Sequence, residues 1–334
     1  MNFTHFELTE RSKENIITVS ERIFLKTSGV KTDMTTEIKL DFKPITTGDA
    51  STLKKYFEMQ DYRTCAFTVA SAIMWQKLYN LQLCESENVL TLSADYEGEG
   101  HCFSVPVGNG DLAAVARAIY AECKQKNERC IFSDVPEDAL DFLRSIFGEE
   151  RVVAEHFEDW DDYVYEATDL IEFAGKKFSA QRNNVNKFSR ACPNAVFEPI
   201  TKENFDIAAE FLKNYVAENC DKTPSGQDEC CADLELIDKF FDLDLRGGIM
   251  LDGDRVIAIS IGEKIGDTLF IHVEKALTEY NGIYQAVVQS FAKMYATDVK
   301  YINREEDDGV EGLRKSKLSY RPVFMLKKHS VEII

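Results

Sequence analysis

The chain has 334 residues, 44% of them apolar, which suits packed cores in two ordinary domains and excludes a disordered polymer. Its net charge of −19 excludes general affinity for nucleic acid or anionic membranes, so a polyanion would need a local basic patch. No apolar run reaches the ~18 residues of a membrane-spanning helix, and the polar start "MNFTHFELTERSKENIITVSERIF" lacks the apolar core of a signal peptide, so a soluble cytoplasmic protein is expected.

Residues 1–36 read as a polar extension, partly helical at most. "IKLDFKPI" alternates like a strand, and "TGDASTLKKYFEM" starts a helix capped by Thr47 or Asp49. "VLTLSADYEGEGHCFSVPVG" reads as two strands around a turn. "GDLAAVARAIYAECKQKN" gathers Val115, Ala116, Ile119 and Cys123 on one helical face. "RCIFSDV" is a strand, "PEDALDFLRSIFG" a helix and "DDYVYEA" a strand.

The later part repeats this order. "GKKFSAQRNNVNKFSR" is a basic helix, "NAVFEPI" a strand and "TKENFDIAAEFLKNYVAENC" a helix. "GGIMLDGDRVIAISIGEKIGDTLFIHVEKA" is a three-strand meander turning at Asp252-Gly253 and Gly266-Asp267. "NGIYQAVVQSFAKMYA" is a helix, "VKYINRE" a strand, "GVEGLRKSKL" a short helix and "RPVFMLKK" the last strand. "CIFSDVPEDALDFL" and "KYINREEDDGVEGL" occupy corresponding places. Two copies of one α+β unit are therefore expected, over 37–167 and 168–334, with a ligand cleft between them. The second copy, with its basic follow-up, is expected to carry the chemistry. The nine cysteines are scattered without a CxxC pair and the five histidines are dispersed, so no metal site is expected.

"DYVYEATDLIEFAGKKFSAQRNNVNKF", "YINREEDDGVEGLRKSKLSYRP", "HCFSVPVG" and "HVEKA" followed by "NGIYQA" resemble, in order and spacing over about residues 38–328, the soluble family known as domain of unknown function 2156. That family is similar to the C-terminal domain of phosphatidylglycerol lysyltransferase and, more distantly, to the Fem peptidyltransferases. The resemblance implies tandem GNAT-like (acyl-CoA N-acyltransferase) domains with mixed sheets flanked by helices. For the lysyltransferases and Fem enzymes it also implies aminoacyl transfer from an aminoacyl-tRNA ester to a hydroxyl or amine.

The candidate site residues fall in three segments. In the basic helix, Arg182 and Asn186 share one face and Asn183 lies on the next, a set suited to an anion or, alternatively, a solvated helix. In "NREEDDGVEGLRKSK", Glu305 and Asp307 are read as inward, with Glu306 or Asp308 solvated. These carboxylates would hold a substrate ammonium group or act as general base. Asn303, Arg304, Arg314 and Lys315 are the accompanying anion-binding candidates, and the bland alternative is acids decorating a helix N-terminus. In "LFIHVEKA", His272 and Glu274 share a strand face as candidate bases beside Lys275, or form packing and ion-pair contacts. Cys102 is read as a buried thiol. The Q/R-x-x-G-x-G/A phosphate loop of acetyl-CoA-dependent GNAT enzymes is reduced here to Gly282, with Tyr284 at the second glycine position, while Gly108 and Gly110 in "VPVGNGD" would suit a phosphate loop or an ordinary turn.

The leading expectation is a transferase moving an acyl or aminoacyl group to an amine or hydroxyl acceptor, with aminoacyl-tRNA as the favoured donor by resemblance and net charge arguing against tRNA. The alternatives are an acyl-CoA-dependent N-acetyltransferase and a non-catalytic small-molecule-binding protein.

Overall fold

The structure is a computed structural model that describes residues 38–96, 100–220 and 224–334. The extension expected over residues 1–36 lies outside the described residues, as does the turn at 97–99.

Two mixed sheets form the frame. The first runs in space as Lys43–Pro44, Gln82–Ser86, Val89–Tyr96, Gly100–Phe103, Cys130–Pro136, Lys328–Ile333, Val152–His156. The second runs Phe324–Leu326, Asp162–Glu166, Tyr301–Asn303, Thr268–Ala276, Arg255–Ile265, Arg246–Asp252, Val196–Pro199. Each sheet holds one parallel pair, Gly100–Phe103 beside Cys130–Pro136 and Thr268–Ala276 beside Tyr301–Asn303. A parallel neighbour needs a long crossover. The helices Leu112–Lys126 and Ile283–Tyr295 supply it, burying the apolar faces read from the sequence.

The two sheets exchange strands. Asp162–Glu166 pairs with Tyr301–Asn303 and Phe324–Leu326 in the second sheet. Lys328–Ile333 pairs with Cys130–Pro136 and Val152–His156 in the first. The expected last strand is thus two strands, broken at Lys327, where the chain leaves one sheet for the other. One apolar core spans the exchange: Leu53, Phe57 and Phe67 share it with Leu236, Ile259 and Val273.

Other expectations change in detail. Ile38, Leu40 and Phe42 do point at the core, but only Lys43–Pro44 finds a ladder partner, so the alternation there reports burial rather than pairing. The first helix is preceded by a 3-10 turn at Thr47–Asp49, where the Asp49 carboxylate accepts from the Thr46 N–H and hydroxyl at 3.0 and 2.8 Å. Pro224–Asp238 is a helix that the sequence reading did not contain.

Both repeats carry a β-bulge at the same place. Register passes from Phe132 opposite Val331 to Val135 opposite His329, so Ser133 and Asp134 face Ser330 alone. In the second sheet, Tyr163 donates its N–H to the Glu305 carbonyl at 3.2 Å and accepts from the Arg304 N–H at 3.0 Å. Each bulge leaves an acid in the left-handed region, Asp134 at φ 52° and Glu305 at φ 58°.

Candidate functional site

A cavity of about 1040 Å³ opens between the halves. Tyr96 and Asp134 line it from the first sheet, His272, Glu274 and Glu305 from the second, and Asp233 from the helix Pro224–Asp238.

At its centre His272, whose side chain is wholly buried, lies between two carboxylates. Its Nδ1 is 2.7 Å from Glu305 and its Nε2 is 3.2 Å from Glu263. Glu263 also accepts from the N–H groups of Val69 and Ala70 at 3.2 and 2.6 Å, which fixes it to the first turn of the helix Val69–Met74. Burial opposes a charge on His272, but the Glu305 and Glu263 carboxylates outweigh it and raise the group to about 10. The imidazole therefore holds its proton at neutral pH, and in this arrangement it orients Glu305 rather than accepting a proton. Glu305 keeps a quarter of its side chain exposed. Its backbone is held by Asn303, whose Oδ1 accepts from the Glu305 N–H at 2.7 Å. The Asn303 amide is spent on the Arg63 carbonyl and on Asp162, both at 2.8 Å, so Asn303 shapes the turn.

Arg304 donates to Glu274 at 2.9 Å, with its guanidinium 4.7 Å from the Tyr320 ring centre and 5.9 Å from that of Tyr165. Lys275 pairs with Glu229 at 2.6 Å and Asp233 at 3.1 Å. Burial pushes Asp233 up to about 7, against the pull of Lys275. Lys317, buried, gives its ammonium protons to the carbonyls of Arg304 and Glu306, and burial pushes it below the ordinary lysine value.

The four acids of "EEDD" separate. Asp307 is inward but occupied: it accepts from Tyr163 at 2.5 Å, from the Gly309 N–H at 2.9 Å and from two Arg314 nitrogens at 2.9 Å. Arg314 also reaches Asp159 at 2.5 Å, tying the helix Glu311–Ser319 to the turn at Glu158–Trp160. Asp308 is exposed, as expected for one of the pair. Glu306 is not the free solvated acid that strand alternation suggested, because the left-handed Glu305 interrupts the extended backbone on which that alternation rests. It meets Lys328 at 3.0 Å, and Lys328 meets Asp162 at 2.8 Å and the Cys65 sulfur at 3.4 Å. Burial resists the Glu306 charge, but Lys328 more than offsets this and holds the carboxyl low, while burial lifts Asp162. Cys65, Asp162 and Glu306 bring potential metal-ligand atoms within 4.8 Å of one another, and the Lys328 ammonium supplies their positive charge.

Other candidates lie off the cavity. Arg182 donates to the Phe173 carbonyl and, at 2.5 Å, to that of Gly175, closing the C-terminus of the helix Ala167–Glu172. Asn183, Asn186 and Lys315 are exposed. The glycine loops are also occupied. A Cβ at Gly282, φ 86°, would sit 2.1 Å from the Asn184 carbonyl. The N–H groups of Asn109 and Gly110 both donate to the Asn88 carbonyl, at 3.2 and 3.3 Å. These glycines serve close backbone packing rather than an open phosphate cradle. Cys102 is buried, as read.

Glu263, Lys328 and Asp162 were absent from the sequence reading, and Lys317 entered it only as part of the basic segment behind the acids. Glu263 carries a signal in retrospect: it is an acid inside the apolar strand "RVIAISIGEKI", where a charge survives only with partners.

Residues 58–331 match the family model described as phosphatidylglycerol lysyltransferase, C-terminal. Among solved structures, a conserved protein of unknown function from Bacteroides thetaiotaomicron VPI-5482 is 32% identical, with a TM-score of 0.83 over 89% of this chain and 100% of that one. L-PGS from Bacillus licheniformis is 13% identical, with a TM-score of 0.60 over 84% of this chain and 91% of that one. FemX is 10% identical, with a TM-score of 0.55 over 88% and 97%. An uncharacterised protein of Mycoplasmoides gallisepticum is 21% identical over 196 residues, and the match spans 62% of its length. The architecture is the tandem GNAT-like one. Among the described residues no helix is long and apolar enough to cross a membrane.

Proposed function

The chain belongs to the family of the phosphatidylglycerol lysyltransferase C-terminal domain, and from that membership we propose that it transfers an aminoacyl group from an ester donor to an amine or hydroxyl acceptor in the cavity between its halves. One observation carries the reading: Glu305 is a partly exposed carboxylate in the cavity wall, held by a buried imidazolium whose other nitrogen faces Glu263.

In this reading Glu305 is the catalytic base. The acceptor nitrogen or oxygen attacks the ester carbonyl while Glu305 takes its proton. The carbonyl–oxygen bond of the ester then breaks, and Glu305 returns the proton to the departing alcohol, so it ends as it began. His272 and Asn303 are positioning residues. Lys317 and Arg304 put positive charge on the same wall, suited to the oxyanion that forms during attack. Asp307 and Arg314 brace the turn that carries Glu305. An ester donor is favoured over an acyl-CoA because both glycine loops are closed by backbone packing. For a tRNA ester, the exposed Lys176, Lys187 and Arg190 around the helix Ser179–Ala191 offer the basic patch that the net charge otherwise denies.

The test offers the protein a pool of charged tRNA and, separately, acetyl-CoA, with primary amines as acceptors. Amide formation from the aminoacyl esters, lost in a Glu305→Gln protein that circular dichroism shows to be still folded at the assay temperature, is expected. Consumption of acetyl-CoA in place of the esters would overturn the donor assignment, and full activity in Glu305→Gln would remove Glu305 from the chemistry.

A further inference from the structure

The strand exchange also brings two histidines together, away from the large cavity. Along Lys328–Ile333, Lys328 and Ser330 line that cavity, while His329 between them lines a separate hollow of about 610 Å³. Glu137, Asp138, Asp141, Arg144 and His156 line the same hollow. His156 and His329 stand directly opposite each other on neighbouring antiparallel strands, with ring centres 5.3 Å apart. They meet only because the last strand crosses into the first sheet, so their places in the sequence do not announce the pair.

The two rings differ in what holds them. Asp161, itself 5% exposed, lies 2.8 Å from His156 Nε2. A carboxylate there keeps the proton on Nε2 and leaves the lone pair on Nδ1. His329 is 8% exposed, and its Nε2 is buried with no hydrogen-bond partner among the described residues. A buried polar nitrogen left in that state costs about 1–3 kcal/mol, which a ligand would recover. Two imidazoles that share a tetrahedral ion at about 2.0–2.1 Å per bond place their ring centres about 5 Å apart, close to the separation found here. Glu137 brings a carboxylate to the hollow. Its N–H donates to the Lys327 carbonyl at 3.2 Å, and its side chain meets the Lys327 ammonium at 3.1 Å, both groups about half exposed. Such a surface pair is worth about 0–1 kcal/mol and yields readily to a cation. The Arg144 charge is already matched by Asp141 and Glu149, at 3.3 Å each.

We infer that His156, His329 and Glu137 bind a divalent transition ion of the zinc class, with water in the fourth position, and that the ion fastens the exchanged last strand to the edge strand Val152–His156. Imidazole nitrogens with one carboxylate suit zinc, whereas calcium and magnesium take oxygen ligands. The rival set, Cys65, Asp162 and Glu306, already has the Lys328 ammonium among its atoms. The site is independent of the transfer reading, because it shares no lining residue with the cavity that holds Glu305.

Zinc titration of the full chain, stripped of metal and kept reduced, against a chromophoric chelator tests this. The wild type is expected to bind one ion per chain and to melt at a higher temperature with zinc than without. His329→Gln and His156→Gln should each weaken binding by about 100-fold or more, and Asp161→Asn by about tenfold or more. Circular dichroism checks that each variant is folded. Glu137→Gln changes a half-exposed side chain, so it keeps the test open if a histidine variant does not fold, and it should weaken binding by about tenfold or more. Cys65→Ser should bind as tightly as the wild type. Wild-type protein that binds no zinc, an affinity unchanged in His329→Gln or Glu137→Gln, or loss of binding in Cys65→Ser overturns the inference.

Discussion

His272 carries its charge because two carboxylates face it in a place where water does not, and this makes the protein's stability depend on pH. Its folded value of about 10 lies above the ordinary 6.5, so its stabilisation is complete below pH 6.5 and is lost as pH rises through 10. Replacing it by Gln leaves Glu305 and Glu263 without their partner. His272→Gln should cost about 3 kcal/mol at pH 6, as breaking a buried pair does, with a smaller deficit at pH 10. Chemical denaturation of both proteins at the two pH values checks this, and a deficit that grows with pH would contradict it. His272 and Glu305 were both legible in the sequence as candidates, His272 as a histidine inside an apolar strand and Glu305 as an acid just past the end of one. Their partnership was not, since it depends on the bulge at Tyr163. Arg182 was legible only as a cation, and its use as a cap on carbonyls nearby in the chain is equally consistent with that pattern.

Helices and turns show where local signals suffice. The crossover helices were readable because their apolar faces repeat at helical spacing. Pro224–Asp238 was not, because in "QDECCADLELID" the buried face of Ala232, Leu236 and Ile237 is interrupted by the buried acid Asp233, which hides the stripe. It adds Leu236 and Ile237 to the shared core and walls the cavity with Asp233 and Glu229. Glycines divide by what approaches them. Gly282 has φ 86° and an Asn184 carbonyl 2.1 Å from where a Cβ would be, whereas Gly253, φ 63°, meets nothing within 4 Å. Gly282→Ala should therefore cost about 3 kcal/mol or more and lift the helix Ser179–Ala191 off its neighbour, while Gly253→Ala should cost about 1 kcal/mol. Thermal denaturation distinguishes them, and equal losses would mean that close packing is not what Gly282 serves.

At the scale of the molecule, the tandem repeat was legible because each half writes the same order of elements. The strand exchange was not, because which sheet receives a strand is a choice between distant partners that local pattern does not encode. The exchange places Lys328 between Asp162 and Glu306, so the seam between the halves is an ion cluster as well as a shared core. Lys328→Met should leave the buried Asp162 and the half-buried Glu306 without their cation and cost about 3–5 kcal/mol. The same seam implies that residues 38–167 and 168–334 made separately do not fold, since each lacks a strand that the other supplies. A single unfolding transition in the full chain, followed by far-UV circular dichroism and by tryptophan emission, is expected. Two transitions, or a soluble folded half, would contradict the coupling. The cavity depends on that seam, because Asp134 lines it from one side and Glu305 from the other.

The most direct test is the single-turnover rate of amide formation between an aminoacyl ester and a primary amine, compared between wild type and Glu305→Gln. Loss of about 100-fold or more in the variant, with the variant still folded under the assay conditions, is the expected result for a general base. Equal rates in the two proteins would contradict the assignment of Glu305 as the group that accepts the acceptor's proton.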